Sequence, residues 1–333
     1  MDPFAQRKFR LNWSIDNRLI TDTIAGPERL ESFARRPWRQ IYPFPTMLES
    51  YAIQAGDAPR SYDHKPGSCI YCGAVEYEGG SDRRLGDEHI IPEGLNGALE
   101  LREASCKRCE AAINPKEQSI LRGVMWASRF NLGMRMKRRK REDEIPCMAE
   151  VDGVMKQVML PHSEHPSFIV LPILDPPGLL SDRSSDQSGM HGLWTKAINY
   201  NSKDLVERGL EKGSSGDFDV LHFLQMLAKI GWSYVAARIG THRVRPLLTE
   251  TILRQYPKDD MDLECYDLIG GSSELEPASA NLHEIGWGPL GHEYGLYVAV
   301  RIRLFANLGA PTYHVFPAMI TDSGMFAALT RRG

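Results

Sequence analysis

Two cysteine pairs, Cys69-Ile70-Tyr71-Cys72 and Cys106-Lys107-Arg108-Cys109, stand 33 residues apart and constrain this chain more than any other feature. A gap of two residues lets both sulfurs of a pair point at one ion. Four soft, anionic thiolates form a tetrahedral zinc set. Six cysteines in 333 residues are too few for a disulfide framework, so the spacing predicts one structural zinc in a reducing, cytoplasmic setting. Cys147 and Cys265 stand alone and are expected to carry no metal. The interval between the pairs is long enough for a β-hairpin and a loop.

Inside that interval lies Gly86-Asp87-Glu88-His89-Ile90-Ile91-Pro92. It reads as a strand ending at Pro92, with Glu88 and Ile90 on one side and Asp87, His89 and Ile91 on the other. A neutral imidazole can take a proton from water, and a neighbouring carboxylate can hold Mg²⁺ or Mn²⁺ against a phosphate. The same histidine alone would read as a hydrogen-bonded strand residue; its place between two zinc pairs is what favours chemistry.

The order Cys69-x-x-Cys72, Asp87-Glu88-His89-Ile90-Ile91-Pro92, Ala104-Ser105-Cys106-x-x-Cys109 resembles the zinc-stapled branch of the HNH endonuclease superfamily, over about residues 67 to 125. The resemblance implies a ββα-metal fold, with His89 as general base and Glu88 as ligand of a divalent metal, Asp87 being its substitute. It implies hydrolysis of DNA phosphodiester bonds; the alternative is a zinc-stabilised nucleic-acid-binding module without activity. Two positions depart from the family. The central Asn, five residues before the third cysteine, is Leu101 here; Asn96 either replaces it or is a plain turn residue. The position after the last cysteine is Glu110, an oxygen ligand still suited to Mg²⁺, with Asn114 and Glu117 as rivals. Asn114-Pro115-Lys116-Glu117 also reads as a helix start, with Asn114 as its cap.

Charge supports a polyanionic partner. Residues 101 to 141 hold twelve Arg or Lys against three Glu, a local surplus hidden by the net charge of −3. Arg135, Lys137, Arg138, Arg139, Lys140 and Arg141 follow a helix expected to hold Leu121 to Asn131. With Lys107 and Arg108 of the second knuckle they are the expected phosphate contacts.

The fold class expected is α+β: an irregular leader over 1–66 packed on the body, the motif module over 67–142, and a mixed α+β domain over 143–333. In the last part Met148 to Leu160 reads as a hairpin turning at Asp152-Gly153. Ser167 to Leu174 reads as a strand and Pro176 to Ser188 as a loop. A long helix capped by Asp217 or Asp219 is expected to run to about Ile239, a shorter one over Pro246 to Tyr256, and strands over Tyr294 to Ala306 and Thr312 to Ile320. Arg301 and Arg303 read as a strand's solvated face, while Trp232, Tyr234 and His222 read as core or partner contacts. This part is open to a ligand, a partner or homo-oligomerisation. No run of eighteen apolar residues suggests a membrane span, and Met1-Asp2-Pro3-Phe4 does not read as a secretory signal.

Overall fold

The computed structural model describes residues 8–15, 20–22, 41–62, 64–78, 84–135, 144–181, 189–256, 263–272 and 274–330, and alternation gathers these described residues into four sheets. The architecture is mixed α+β, as expected. β1 (Lys8–Ser14), β2 (Ile20–Asp22), β7 (Glu144–Val151), β8 (Val154–Pro161) and β11 (Lys212–Asp219) form one sheet in the order β2-β1-β11-β7-β8. β3 (Glu49–Ile53), β12 (Val244–Pro246), β14 (His283–His292), β15 (Gly295–Leu304) and β16 (Tyr313–Ile320) form the largest, in the order β12-β16-β15-β14-β3, with β13 (Ile269–Gly271) also on β16. β9 (Ser167–Leu174) and β10 (Met190–Asn199) make a separate ribbon. The motif region contributes β5 (Gly86–His89) and β6 (Leu99–Ser105), antiparallel to each other, with β4 (Arg60–Tyr62) parallel on the far side of β6.

The leader is therefore not irregular where it is described. Its strands β1, β3 and β4 enter three different sheets. Phe9, Leu11 and Trp13 alternate with polar residues and are buried, the period of two that marks a half-buried strand. The hairpin at residues 148 to 160 forms as expected. Asp152 (φ 53°) and Gly153 (φ 75°) both sit in the left-handed region that a two-residue hairpin turn of matching twist requires. The expected strand Ser167–Leu174 forms with those limits.

The α-helices among the described residues are α1 (Lys107–Arg122), α2 (Trp126–Asn131), α3 (Ser202–Glu207), α4 (Val220–Arg238), α5 (Thr249–Leu253) and α6 (Ser323–Thr330). The helix expected over Leu121 to Asn131 is split, because the chain leaves helical geometry at Gly123 before α2 begins. That expected over Pro246 to Tyr256 is only the five residues of α5, β12 taking its start. α4 is the keel of the molecule. Asp219 caps it, accepting from the His222 amide at 3.0 Å. Nearly every residue from Val220 to Ala237 is buried, so this helix has no solvent face. It packs on α1 and α5 on one side and on β15 and β16 on the other. None of the helices among the described residues is long and apolar enough to cross a membrane.

Arg301 and Arg303 correct another expectation. They do not form a solvated face: Arg303 is buried, donating to the Ala310, Glu276 and Pro277 carbonyls, and Arg301 pairs with Glu276 (2.5 Å) and Glu284 (3.4 Å). Both faces of β15 are covered, so its alternation no longer separates inside from outside.

A buried histidine joins this sheet to the motif region. His283 donates from Nε2 to the Leu95 carbonyl (2.6 Å) and accepts at Nδ1 from the Phe305 amide (3.1 Å). Burial brings its imidazole down to about 4. A folded-state value below the unfolded one means stability present above about pH 6.5 and lost as pH falls toward 4. Urea unfolding at pH 7.5 and pH 5 is expected to show roughly 2 kcal/mol of this loss, absent in His283→Gln. An equal pH slope in the variant would remove His283 as its source.

Candidate functional site

The first cysteine knuckle is a tight turn fixed by its own amides. Cys69 donates to Ala74 (2.6 Å), Gly73 donates to Cys69 (2.8 Å), and Ile70 donates to Ala104 on β6 (2.9 Å). Gly73 lies at φ 77°, which a side chain would strain. The second knuckle is the start of α1, with Cys106 at the cap position and the Glu110 amide returning to the Cys106 carbonyl at 3.0 Å. The four sulfurs lie within 4.8 Å of one another, and Cys72 and Cys106 are 3.6 Å apart. A zinc–sulfur distance near 2.3 Å gives tetrahedral edges of about 3.8 Å, so this set can hold zinc. Burial holds the Cys69 and Cys109 thiols above their ordinary value. Burial works against Cys72 too, but the Ala74 amide and the neighbouring thiols bring it down to about 7. Arg108 lies against the Cys72 sulfur. Cys147 and Cys265 are buried and lie outside this set.

β5, β6 and α1 together make a ββα unit beside the sulfur cluster. β5 stops at His89 rather than at Pro92, and Ile90 and Ile91 are both buried, so the expected alternation ends with the strand. A cavity of about 1100 Å³ opens between this unit, α2 and β7, lined among others by Asp87, Glu88, His89, Glu110, Asn114 and Glu117. His89 faces Glu100 directly across the ladder, with Nδ1 3.6 Å from Glu100 Oε1. Ser61 on β4 donates to the other Glu100 oxygen at 3.0 Å. The half-buried His89 ring thus has a carboxylate beside Nδ1, and His89 is one of the residues that line the cavity.

Leu101 is fully buried opposite Glu88, and the residue before it, Glu100, shares the face of His89. Asn96 does not replace the missing asparagine. It sits at φ 58° and its side chain accepts from the Arg135 amide at 2.8 Å, a turn role set by its left-handed backbone. Asn114 does not start a helix either. α1 already begins at Lys107 and runs through Pro115, because the cysteine knuckle fixes its first turn and the buried face carries it past the proline. Glu110 is in place beside the strand, accepting from Tyr77 (2.7 Å) and Ser105 (3.0 Å), and its carboxylate lies over Gly86 where a Cβ would collide. Asp87 is exposed and accepts from the Glu103 amide at 2.9 Å.

Glu88 is otherwise engaged. Its carboxylate lies 2.6 Å from Lys229 Nζ, which is 3.0 Å from Glu117 and also donates to the His89 carbonyl. Lys229 and Glu88 are both buried. Burial raises the Glu88 carboxyl against the pull of Lys229. Burial also opposes the ammonium, but the two carboxylates outweigh it and hold Lys229 above its ordinary value. Tyr71 is buried beside them, its phenol pushed up by burial and then by Glu88 and Glu117. Mg²⁺ binds octahedrally and keeps several waters; a sequestered carboxylate already against an ammonium does not fit it. Among the described residues the four cysteines are the one group of three or more His, Cys, Asp or Glu whose ligand atoms all lie within 4.8 Å.

The cavity lining also holds Arg122, Arg129 and Arg135. Arg129 donates to the Gly94, Leu121 and Arg135 carbonyls, and among the described residues no carboxylate pairs with it. Burial, with Arg122 nearby, brings it down to about 10, still a cation at neutral pH. Lys107 and Arg108 are exposed on the first turn of α1. The expected contacts Lys137, Arg138, Arg139, Lys140 and Arg141 lie outside the described residues.

Glu100, Arg122, Arg129 and Lys229 were not singled out from the sequence. Lys229 had a readable signal, a lone charge inside the apolar run Met226-Leu227-Ala228-Lys229-Ile230-Gly231-Trp232. Glu100 had none, since strand register is what sets it opposite His89. No family model, curated protein or solved structure matches this chain.

Proposed function

We propose that the ββα unit hydrolyses phosphodiester bonds of DNA, with His89 as general base. The reading rests on one observation: His89, with Glu100 beside Nδ1, lines a cavity whose lining also holds three arginines. Nε2 takes a proton from water as its oxygen bonds to phosphorus and the bond to the leaving oxygen breaks. Glu100 steadies the imidazolium that forms, and Arg122, Arg129 and Arg135 attract the phosphate. Zinc at Cys69, Cys72, Cys106 and Cys109 stabilises the scaffold. The structural departures at Leu101 and Glu88 favour one second reading, a nucleic-acid-binding module without activity.

Incubation of the full chain with supercoiled plasmid, with and without Mg²⁺ or Mn²⁺, tests this. Nicking is expected, reduced at least 100-fold in His89→Ala and less severely in Glu100→Gln. Binding that weakens with salt but produces no nick in any metal would select the second reading. Nicking unchanged in His89→Ala would reject His89 as the base.

A further inference from the structure

Lys229 is supplied to the motif region from 140 residues away, by a helix whose other buried positions are mostly apolar or small. An ammonium there is costly to bury unless it meets specific partners. It meets three: Glu88 at 2.6 Å, Glu117 at 3.0 Å and the carbonyl of His89 itself. Glu88 and Glu117 come from β5 and α1, the two elements between which the cavity opens. A pair of carboxylates approaching one another needs a cation, and two acids on facing elements of this unit form a natural seat for a divalent one. The chain fills that seat with its own charge. Trp232, one turn further along α4, donates to the Ile70 carbonyl at 2.9 Å, so the helix is pinned to the first cysteine knuckle as well. The lysine therefore has little freedom to withdraw.

We propose that Lys229 is the resident cation of the Glu88–Glu117 pair, taking the place of a divalent metal, and that it positions the His89 backbone through the carbonyl it holds. Any hydrolysis at His89 then needs no metal on Glu88. Lys229 is a positioning residue in this scheme: its buried ammonium lies on the lining of the same cavity as His89 and acts through the carbonyl it holds. The inference rests on the reading of His89 as the active group only for its consequence in catalysis; the claim about the cation seat stands apart from it.

Mn²⁺ binding to the zinc-loaded full chain, followed by electron paramagnetic resonance, separates the two. Wild type and Glu88→Gln are expected to bind Mn²⁺ alike, because Glu88 is not available to it. Lys229→Ala is expected to gain one Mn²⁺ site that Lys229→Ala/Glu88→Gln lacks. Lys229→Met/Glu117→Gln keeps the net charge of the cluster and serves as the folded control, expected to gain no site. Mn²⁺ binding in wild type that disappears in Glu88→Gln would overturn the proposal. So would a folded Lys229→Ala that binds no more Mn²⁺ than wild type, or one that unfolds while wild type and Glu88→Gln differ in Mn²⁺ binding. In the plasmid assay, His89-dependent nicking is expected to change less than twofold when Mg²⁺ and Mn²⁺ are omitted. Absence of nicking under every condition would defeat the hydrolase reading while leaving the Mn²⁺ result to decide the cation seat.

Discussion

Serine at Cys106 is expected to empty the sulfur site of zinc and to unfold the ββα unit with it. Cys106 is at the hinge of that unit: it ends the approach from β6, caps α1 and closes to 3.6 Å from Cys72 across the two knuckles. Structural zinc bound by four thiolates contributes on the order of 10 kcal/mol to folding in small zinc domains, comparable with the whole stability of an ordinary domain. Local packing cannot replace that, because the first knuckle is a loop of tight turns with only Ile70 and Tyr71 buried beside its cysteines. Wild-type protein purified without added metal is expected to carry about one zinc per chain by atomic absorption, and Cys106→Ser close to none, with a lower melting temperature and lost helical signal from α1. The acid dependence has a definite sign. Zinc requires thiolates, and in the metal-free cluster burial keeps Cys69 and Cys109 protonated beyond neutral pH. Metal loading therefore releases protons, and zinc is expected to leave as pH falls. A Cys106→Ser protein that melts like wild type, with no zinc in either, would show that the four thiols hold no structural metal.

The parts of this site that were legible in the sequence are those carried by short-range spacing. Two CxxC pairs fix a cluster because a knuckle is a local object. Asp152-Gly153 fixes a hairpin because its backbone demand is met by two residues, and Asp219 is visible as a cap for the same reason. What was not legible depends on what faces what after folding. Glu88 reads as a metal ligand until α4 delivers an ammonium to it from the other end of the chain. The family position at Leu101 reads as vacant until register shows that the neighbouring Glu100 shares the face of His89. Asn114-Pro115 reads as a helix start because capping chemistry is local, yet the cysteine knuckle has already begun that helix eight residues earlier. Arg301 and Arg303 read as solvated because alternation in a strand implies one wet face; carboxylates from Glu276 and Glu284 make the second face a buried one.

Removal of the Lys229 charge is expected to destabilise the chain more than any other single change outside the zinc set. In Lys229→Met, Glu88 and Glu117 face each other with no cation, and breaking one partner out of a buried charged pair typically costs about 3–5 kcal/mol. The methylene stem of the lysine is replaced by a side chain of similar length, so little of the deficit comes from a cavity. Its pH dependence identifies the cause. Burial already raises Glu88 in the intact cluster, and loss of the ammonium raises it further. A carboxyl raised above its unfolded value is protonated, and harmless, at low pH; its burden on the folded state appears as pH climbs through the raised folded value. The gap between wild type and Lys229→Met, measured by urea unfolding, is therefore expected to be largest near pH 7.5 and to narrow toward pH 5. The loss from His283 falls equally on both proteins and drops out of that difference. Lys229→Met/Glu88→Gln, with one carboxylate neutralised, is expected to recover a large part of the deficit at pH 7.5 and little at pH 5, the signature of coupling through charge rather than shape. A deficit that is the same at both pH values, or that Glu88→Gln leaves untouched, would mean that Lys229 stabilises α4 by packing alone and that the two carboxylates do not depend on it.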